Sequence, residues 1–220
     1  MGSDMARNPK TPKFDVFNNL PSCFGGRQNH DGKWQTYFAN PDHRLTVEVG
    51  CGRAELSLEL ARRHPDENFI GVDKKSDRMW RPALTASEEK LINIGFIQTD
   101  SRELNDFFDD HCVDVVWVTF PDPYPRVKHE KNRLMNPRFL GVYKKLLKPD
   151  GVIRFKTDDN ALFDYFKEEV LPKTKDLKVL METRDLHESD LPEEYKIITT
   201  YEARWIEMGR KISFLELSFS

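Results

Sequence analysis

The sequence predicts an α/β fold, with a mostly parallel central sheet, helices on both faces and an antiparallel edge at its C-terminal end. Two observations carry this. Between Thr46 and Asp158, apolar β-branched runs of strand length alternate with stretches of helical periodicity. Beyond them, Ile197 to Glu202 and Lys211 to Phe219 alternate like strands, with Gly209 between them, as an antiparallel pair would. A third regularity concerns function: successive strands end in glycines or acids, at the carboxyl edge where open α/β sheets bind ligands.

The chain has 220 residues, enough for one sizeable core. We read residues 45–220 as a single domain preceded by an N-terminal arm, 1–44, whose first four residues resemble an expression scar. Pro, Gly and Asn in the arm argue against a long regular element before Trp34. The extreme N-terminus reads as a mobile, solubilising tail in preference to a nucleic-acid-binding arm.

Thr46-Val47-Glu48-Val49-Gly50 is a strand, and Cys51-Gly52-Arg53 turns it into an amphipathic helix over Ala54–His64 that ends before Pro65. Strand, glycine turn and helix form a nucleotide-cofactor entrance, because glycines let the backbone approach a ligand that the helix-terminal N–H groups face. Asn68–Asp73 is the next strand, and Asp73 is placed to accept ribose hydroxyls. Glu55 stands where a dinucleotide fingerprint has its third glycine, so a pyrophosphate is poorly served. S-adenosylmethionine has no phosphate, and a Glu-x-Gly-x-Gly turn through Glu48, Gly50 and Gly52 suits it better.

A helix is expected from Ser76 to about Ile94, interrupted near Pro82, then a strand from Gly95 ending in Asp100. The run Val113 to Val118 is a buried strand. Phe120-Pro121-Asp122-Pro123-Tyr124-Pro125 stops it as a stiff loop, which makes Asp122 the first candidate for a working residue. A basic cluster, Arg126 to Arg138, follows directly and suits a polyanionic substrate. A helix over Asn136–Leu147, a strand over Val152–Asp158, a helix over Ala161–Leu171 and a short strand over Lys178–Arg184 complete the alternation.

Composition narrows the chemistry. Net charge is −3, so nucleic-acid binding must come from a local patch. Three cysteines without C-x-x-C spacing support neither a disulfide framework nor a zinc ribbon, and the six histidines lack ligand pairing, so no metal is expected. No apolar run approaches a membrane span of ~18 residues, which makes cytoplasmic location the expectation.

Taken together, Glu48-Val49-Gly50-Cys51-Gly52, Gly71-Val72-Asp73, the Phe120–Pro125 loop with its basic continuation, Thr157-Asp158, and Thr199-Thr200-Tyr201-Glu202 with Arg204 resemble the bacterial tRNA (guanine-N7-)-methyltransferase family. Tyr124, Arg126 and Asp159 depart from the residues usual in that family at those positions. The resemblance implies a Rossmann-like class I methyltransferase fold, S-adenosylmethionine as methyl donor and tRNA as partner, in a monomer or homodimer. It implies cofactor contacts at Glu48, Asp73, Asp100 and Asp122, with Asp122 also catalytic. It implies substrate contacts at Arg126, Asp158, Thr199, Thr200, Tyr201 and Glu202. Two alternatives stay open: a methyltransferase acting on an exocyclic amine of a base, and a non-catalytic binding module. A nicotinamide dehydrogenase is disfavoured by Glu55.

Overall fold

A computed structural model describes residues 13–25 and 34–220. The expectations for residues 1–12 and 26–33 of the N-terminal arm lie outside the described residues.

Among the described residues eight strands form one sheet: β1 (Cys23–Gly25), β2 (Leu45–Val49), β3 (Asn68–Asp73), β4 (Ile94–Gln98), β5 (Val113–Thr119), β6 (Leu147–Thr157), β7 (Leu177–Thr183) and β8 (Ser213–Phe219). Their order is β1-β4-β3-β2-β5-β6-β8-β7. Strands β1 to β6 pair in parallel, and β8 runs antiparallel between β6 and β7. Chain order reverses between β2 and β5, so the topological switch point lies there.

The α-helices of the described residues are α1 (Lys13–Asn19), α2 (Glu55–Arg63), α3 (Ser76–Glu88), α4 (Pro137–Leu146), α5 (Asn160–Tyr165) and α6 (Thr200–Glu207). Alternation along each strand divides the core into two apolar clusters. Val116 and Val118 of β5 join α4 and α5 on one face, and Val115 and Trp117 join α2 and α3 on the other. Among the described residues no helix is long and apolar enough to cross a membrane, and no group of acidic, His or Cys side chains could hold a metal.

Three elements differ from the sequence reading. Ile197–Glu202 is not a strand, because Thr199 caps α6. Its hydroxyl accepts from Glu202 N at 3.3 Å, and the Glu202 carboxylate accepts from Thr199 N at 3.3 Å. This reciprocal capping box outweighs a short alternating pattern. The antiparallel partners of β8 are therefore β6 and β7. The helix begun at Ser76 ends at Glu88 and runs through Pro82, which is buried inside it. Among the described residues before Trp34 the two regular elements are short, yet β1 pairs with β4, and Trp34 and Phe38 are buried in the core, so these residues take part in the fold.

Candidate active site

The site is built at the carboxyl ends of β2, β3, β5 and β6. After β2 the chain turns through Gly50 and Gly52, both at positive φ (74° and 54°), which glycine adopts without steric cost. Gly50 N and Cys51 N both donate to Val72 O, at 2.8 and 2.9 Å, folding the turn back onto β3. A side chain at Gly50 would lie 2.9 Å from Leu134, whereas the space beside Gly52 is open.

Two carboxylates hold this turn. Glu48 is buried and accepts from Ser57 N (3.2 Å), Ser57 Oγ (2.6 Å) and Thr119 Oγ1 (2.7 Å), linking β2, α2 and β5. Burial pushes its pKa up, opposed by those hydrogen bonds. Asp73 accepts from Gly52 N at 3.1 Å on one oxygen and from Lys75 N at 2.8 Å on the other. Each oxygen keeps a lone pair for a ligand hydroxyl. Asp100, after β4, is clamped by Arg102 at 2.7 and 2.6 Å, and these bonds hold its pKa at about 2.

The loop after β5 is fixed from several sides. Phe120 and Tyr124 adopt φ of 45° and 41°, a left-handed conformation unusual for large aromatic residues. Phe120 N donates to Lys156 O at 2.8 Å. Arg133 donates to Pro123 O at 2.9 Å and Tyr124 O at 3.1 Å, and its guanidinium lies 4.0 Å from the Tyr165 ring centroid. Asp122, exposed between the prolines, is thus held without being covered.

Two cavities meet at this loop, sharing Gly50, Arg78, Phe120, Pro121 and Asp122. The first, about 400 Å³, also carries Asp73, Asp100 and Tyr124. The second, about 390 Å³, also carries Glu48, Gly52, Asp158, Thr199 and Tyr201. Both volumes suit a cofactor-sized or base-sized ligand. The first offers the carboxylate acceptors that a nucleoside's hydroxyl and N–H groups need, in Asp73, Asp100 and Asp122, set among Lys74, Lys75, Arg78 and Arg102.

Four sequence-predicted residues sit differently. Glu202 is fully buried, bonded to Lys156 Nζ through both oxygens (2.7 and 2.8 Å) and to His187 Nε2 (2.8 Å). A carboxylate so enclosed cannot also reach a substrate, which corrects the contact expected of it. Thr200 lies outside both cavities, bonding to Glu55 through its N–H and hydroxyl. Arg126 is exposed at the start of the helical turn Val127–Asn132 and outside both cavity walls. Asp158 lines the second cavity, but it pairs with Arg210 at 2.6 Å.

Sequence reading missed Arg210 and Trp205, whose ring lies 4.2 Å below the Arg210 guanidinium. It also missed Lys156, whose ammonium joins Glu202 and Ile197 O. No local pattern marks them, because each is brought to the site by the C-terminal helix or by strand pairing. Lys156 alternates with Phe155 and Arg154 in β6, as on an ordinary half-exposed strand, so its burial leaves no mark in the sequence.

Residues 42–215 match the family described as "Putative methyltransferase". A tRNA (guanine-N(7)-)-methyltransferase of Cytophaga hutchinsonii is 41% identical over 191 residues, covering 86% of each chain. One from Christiangramia forsetii is 39% identical over 186 residues, covering 84% of this chain and 82% of its own. Among solved structures, a 30S ribosomal A1408 methyltransferase from an uncultured bacterium superposes with a TM-score of 0.64 at 14% identity, over 90% of this chain and 98% of that one. The 16S rRNA methyltransferase KamB gives 0.61 at 13% identity, over 84% and 90%. These two likenesses bear on the fold, which is that of class I methyltransferases. With the sequence matches spanning β2 to β8, the chain belongs to the tRNA (guanine-N(7)-)-methyltransferase family.

Proposed function

We propose that this chain transfers the methyl group of S-adenosylmethionine to N7 of a guanine in the variable loop of tRNA, giving 7-methylguanosine. The observation that carries the reading is Asp122, fixed in a proline-bracketed loop where the two cavities meet. The relatives' shared activity supports the choice of atom and polymer.

Bound in the first cavity, the donor supplies a methyl carbon made electrophilic by its sulfonium. Asp73 would accept the ribose hydroxyls on its two remaining lone pairs. Asp100, kept ionised by Arg102, would take a donor of the base. The turn through Gly50 and Gly52 would bring backbone close to the ligand, and Glu48 would hold that turn from beneath.

The second cavity would receive guanine. In the neutral base N7 carries a free lone pair, so no residue has to remove a proton before attack. The protein's work is positioning, which contributes up to ~7–11 kcal/mol in favourable cases. Asp122 would face the positive charge that moves onto the ring, and Asp158 would accept guanine N–H groups that adenine lacks at N1. Reaching the base would require Asp158 to exchange some of its bonding with Arg210. Tyr201, on the wall of the second cavity, would stack on a base turned out of the tRNA, and Tyr124, on the wall of the first, is the other candidate. Arg126 would contact phosphate outside the pocket.

The test is transfer of labelled methyl to an unmodified tRNA transcript beside one whose variable-loop guanosine is adenosine, with nucleoside analysis. We expect 7-methylguanosine in the first only. Label in both would remove the variable-loop assignment. Label in an exocyclic methylamine would replace the reaction, and none, with donor binding intact, would leave a binding module.

A further inference from the structure

We infer that a groove beside the reaction pocket, walled by Arg53, Arg78, Trp80, Arg81 and Tyr201, seats the single-stranded RNA flanking the target guanosine; the inference rests on the function proposed above. The groove lies between the start of α2, the exposed side of α3 and the first turn of α6, and encloses about 660 Å³. It shares Gly52, Arg53, Glu55, Arg78 and Tyr201 with the second cavity, so one continuous surface runs from the pocket into the groove.

Its chemistry is that of a polyanion track with a stacking platform. Arg53, Arg78 and Arg81 are all exposed, and none forms an ion pair with any described residue. Two carboxylates face them. Glu55 is committed to the Thr200 N–H and hydroxyl, which leaves Asp77 as the acid opposing three guanidiniums. Tyr201 is 59% exposed, and the Arg81 guanidinium lies 5.8 Å from the Trp80 ring centroid. Guanidiniums bind phosphate in a fork, and an open aromatic face accepts any base.

Connectivity supplies the direction. A guanine turned into the second cavity stays joined to its neighbours. On one side that cavity opens into the first, which the donor fills, and on the other into this groove. Of the basic run after the loop, Arg133 is spent on Pro123 O and Tyr124 O, and Arg126 lies outside both cavity walls.

The experiment measures binding of an unmodified tRNA transcript by the full chain, without methyl donor, across a salt series. Wild type is compared with Arg53→Gln/Arg81→Gln. Each lost phosphate contact to a single strand lowers the slope of log affinity against log salt by ~0.7, so the double variant should be shallower by about 1.4. Unfolding midpoints measured alongside identify any loss of fold. Should the double variant lose it, Arg81→Gln alone carries the test, with an expected change of about 0.7. A wild-type slope, or weakening by one factor at every salt, overturns the groove. If wild type forms 7-methylguanosine while the variant keeps its slope, the reaction stands and the groove falls. A wild-type chain that methylates no tRNA overturns the reaction itself.

Discussion

Replacing Lys156 with methionine should be among the most damaging single changes outside the cavities. Its ammonium is 1% exposed and donates to Glu202 Oε1 (2.7 Å), Glu202 Oε2 (2.8 Å) and Ile197 O (2.9 Å). Burial lowers its pKa, with Glu202 opposing the shift. Methionine fills similar volume but leaves the Glu202 carboxylate fully buried with His187 as its remaining side-chain partner. Breaking one side of such a pair costs about 3–5 kcal/mol. For a domain this size that is a fall of about 6–20 °C in Tm. The double variant Lys156→Met/Glu202→Leu removes both charges, and such replacements are often neutral or stabilising, although the α6 cap is lost at ~1 kcal/mol. Urea unfolding of both single variants and the double should therefore give a coupling energy of at least ~3 kcal/mol. A Lys156→Met variant within ~1 kcal/mol of wild type would refute the buried pair. The double variant also tests position. Lys156 O accepts from Phe120 N, so one residue ties the reaction loop to the segment Thr199–Tyr201. Methyl transfer should fall in the double variant even where stability returns.

Three other changes probe the site. Asp122→Asn should lower kcat by about 10²–10³, the scale of removing one preorganised electrostatic partner, with the unfolding midpoint unchanged because Asp122 is exposed; a near-normal rate on tRNA removes it from catalysis. Arg133→Met deletes two hydrogen bonds to the loop carbonyls and should cost about 1–3 kcal/mol in urea unfolding, with kcat falling more than donor affinity. Glu48 has a raised folded-state pKa, so its contribution to stability is full below its unfolded value, 4.5, and is lost as pH rises through the folded value. Glu48→Gln should remove that decline, which chemical unfolding over a pH series would measure.

Strands β2 to β6 were legible because each holds an apolar run leading to a glycine or acid at its carboxyl end, as in Asn68–Asp73, whereas β1, three residues long, was not. The last third was less so. Ile197 to Glu202 alternates like a strand, and only the reciprocal bonds of Thr199 and Glu202 decide for a helix. The same acid misled the site reading. A Glu in a recurring motif beside a binding segment suggests substrate contact, but here the motif caps a helix and neutralises a buried lysine that is 46 residues away in sequence. That Asp73, Asp100 and Asp122 lie at the carboxyl edge of the sheet could be read locally, because strand-end position is a local property. Arg210 was not, because it meets Asp158 across 52 residues through the return of α6 into β8.

The reaction loop carries its own strain, and that strain is testable. Phe120 and Tyr124 flank Pro121-Asp122-Pro123 with φ of 45° and 41°. Such conformations cost about 1–3 kcal/mol each and persist only where the surroundings over-determine them. Here the surroundings are the Lys156 carbonyl at one end and Arg133 at the other. Tyr124→Gly would relieve the left-handed strain, yet it would add ~0.5–1 kcal/mol of unfolded-chain entropy and lose the ring contact with His129 at 6.4 Å. These terms offset, so overall stability should change by no more than ~1 kcal/mol. The loop, however, would no longer be confined to one geometry. If Asp122 works by preorganisation, kcat should drop at least ~10-fold in this variant at nearly constant stability, as a 1 Å misplacement is enough for more than that. Single-turnover methyl transfer at saturating donor and tRNA separates the chemical step from binding. An unchanged single-turnover rate would mean that neither the strain nor the Tyr124 ring contributes to the reaction.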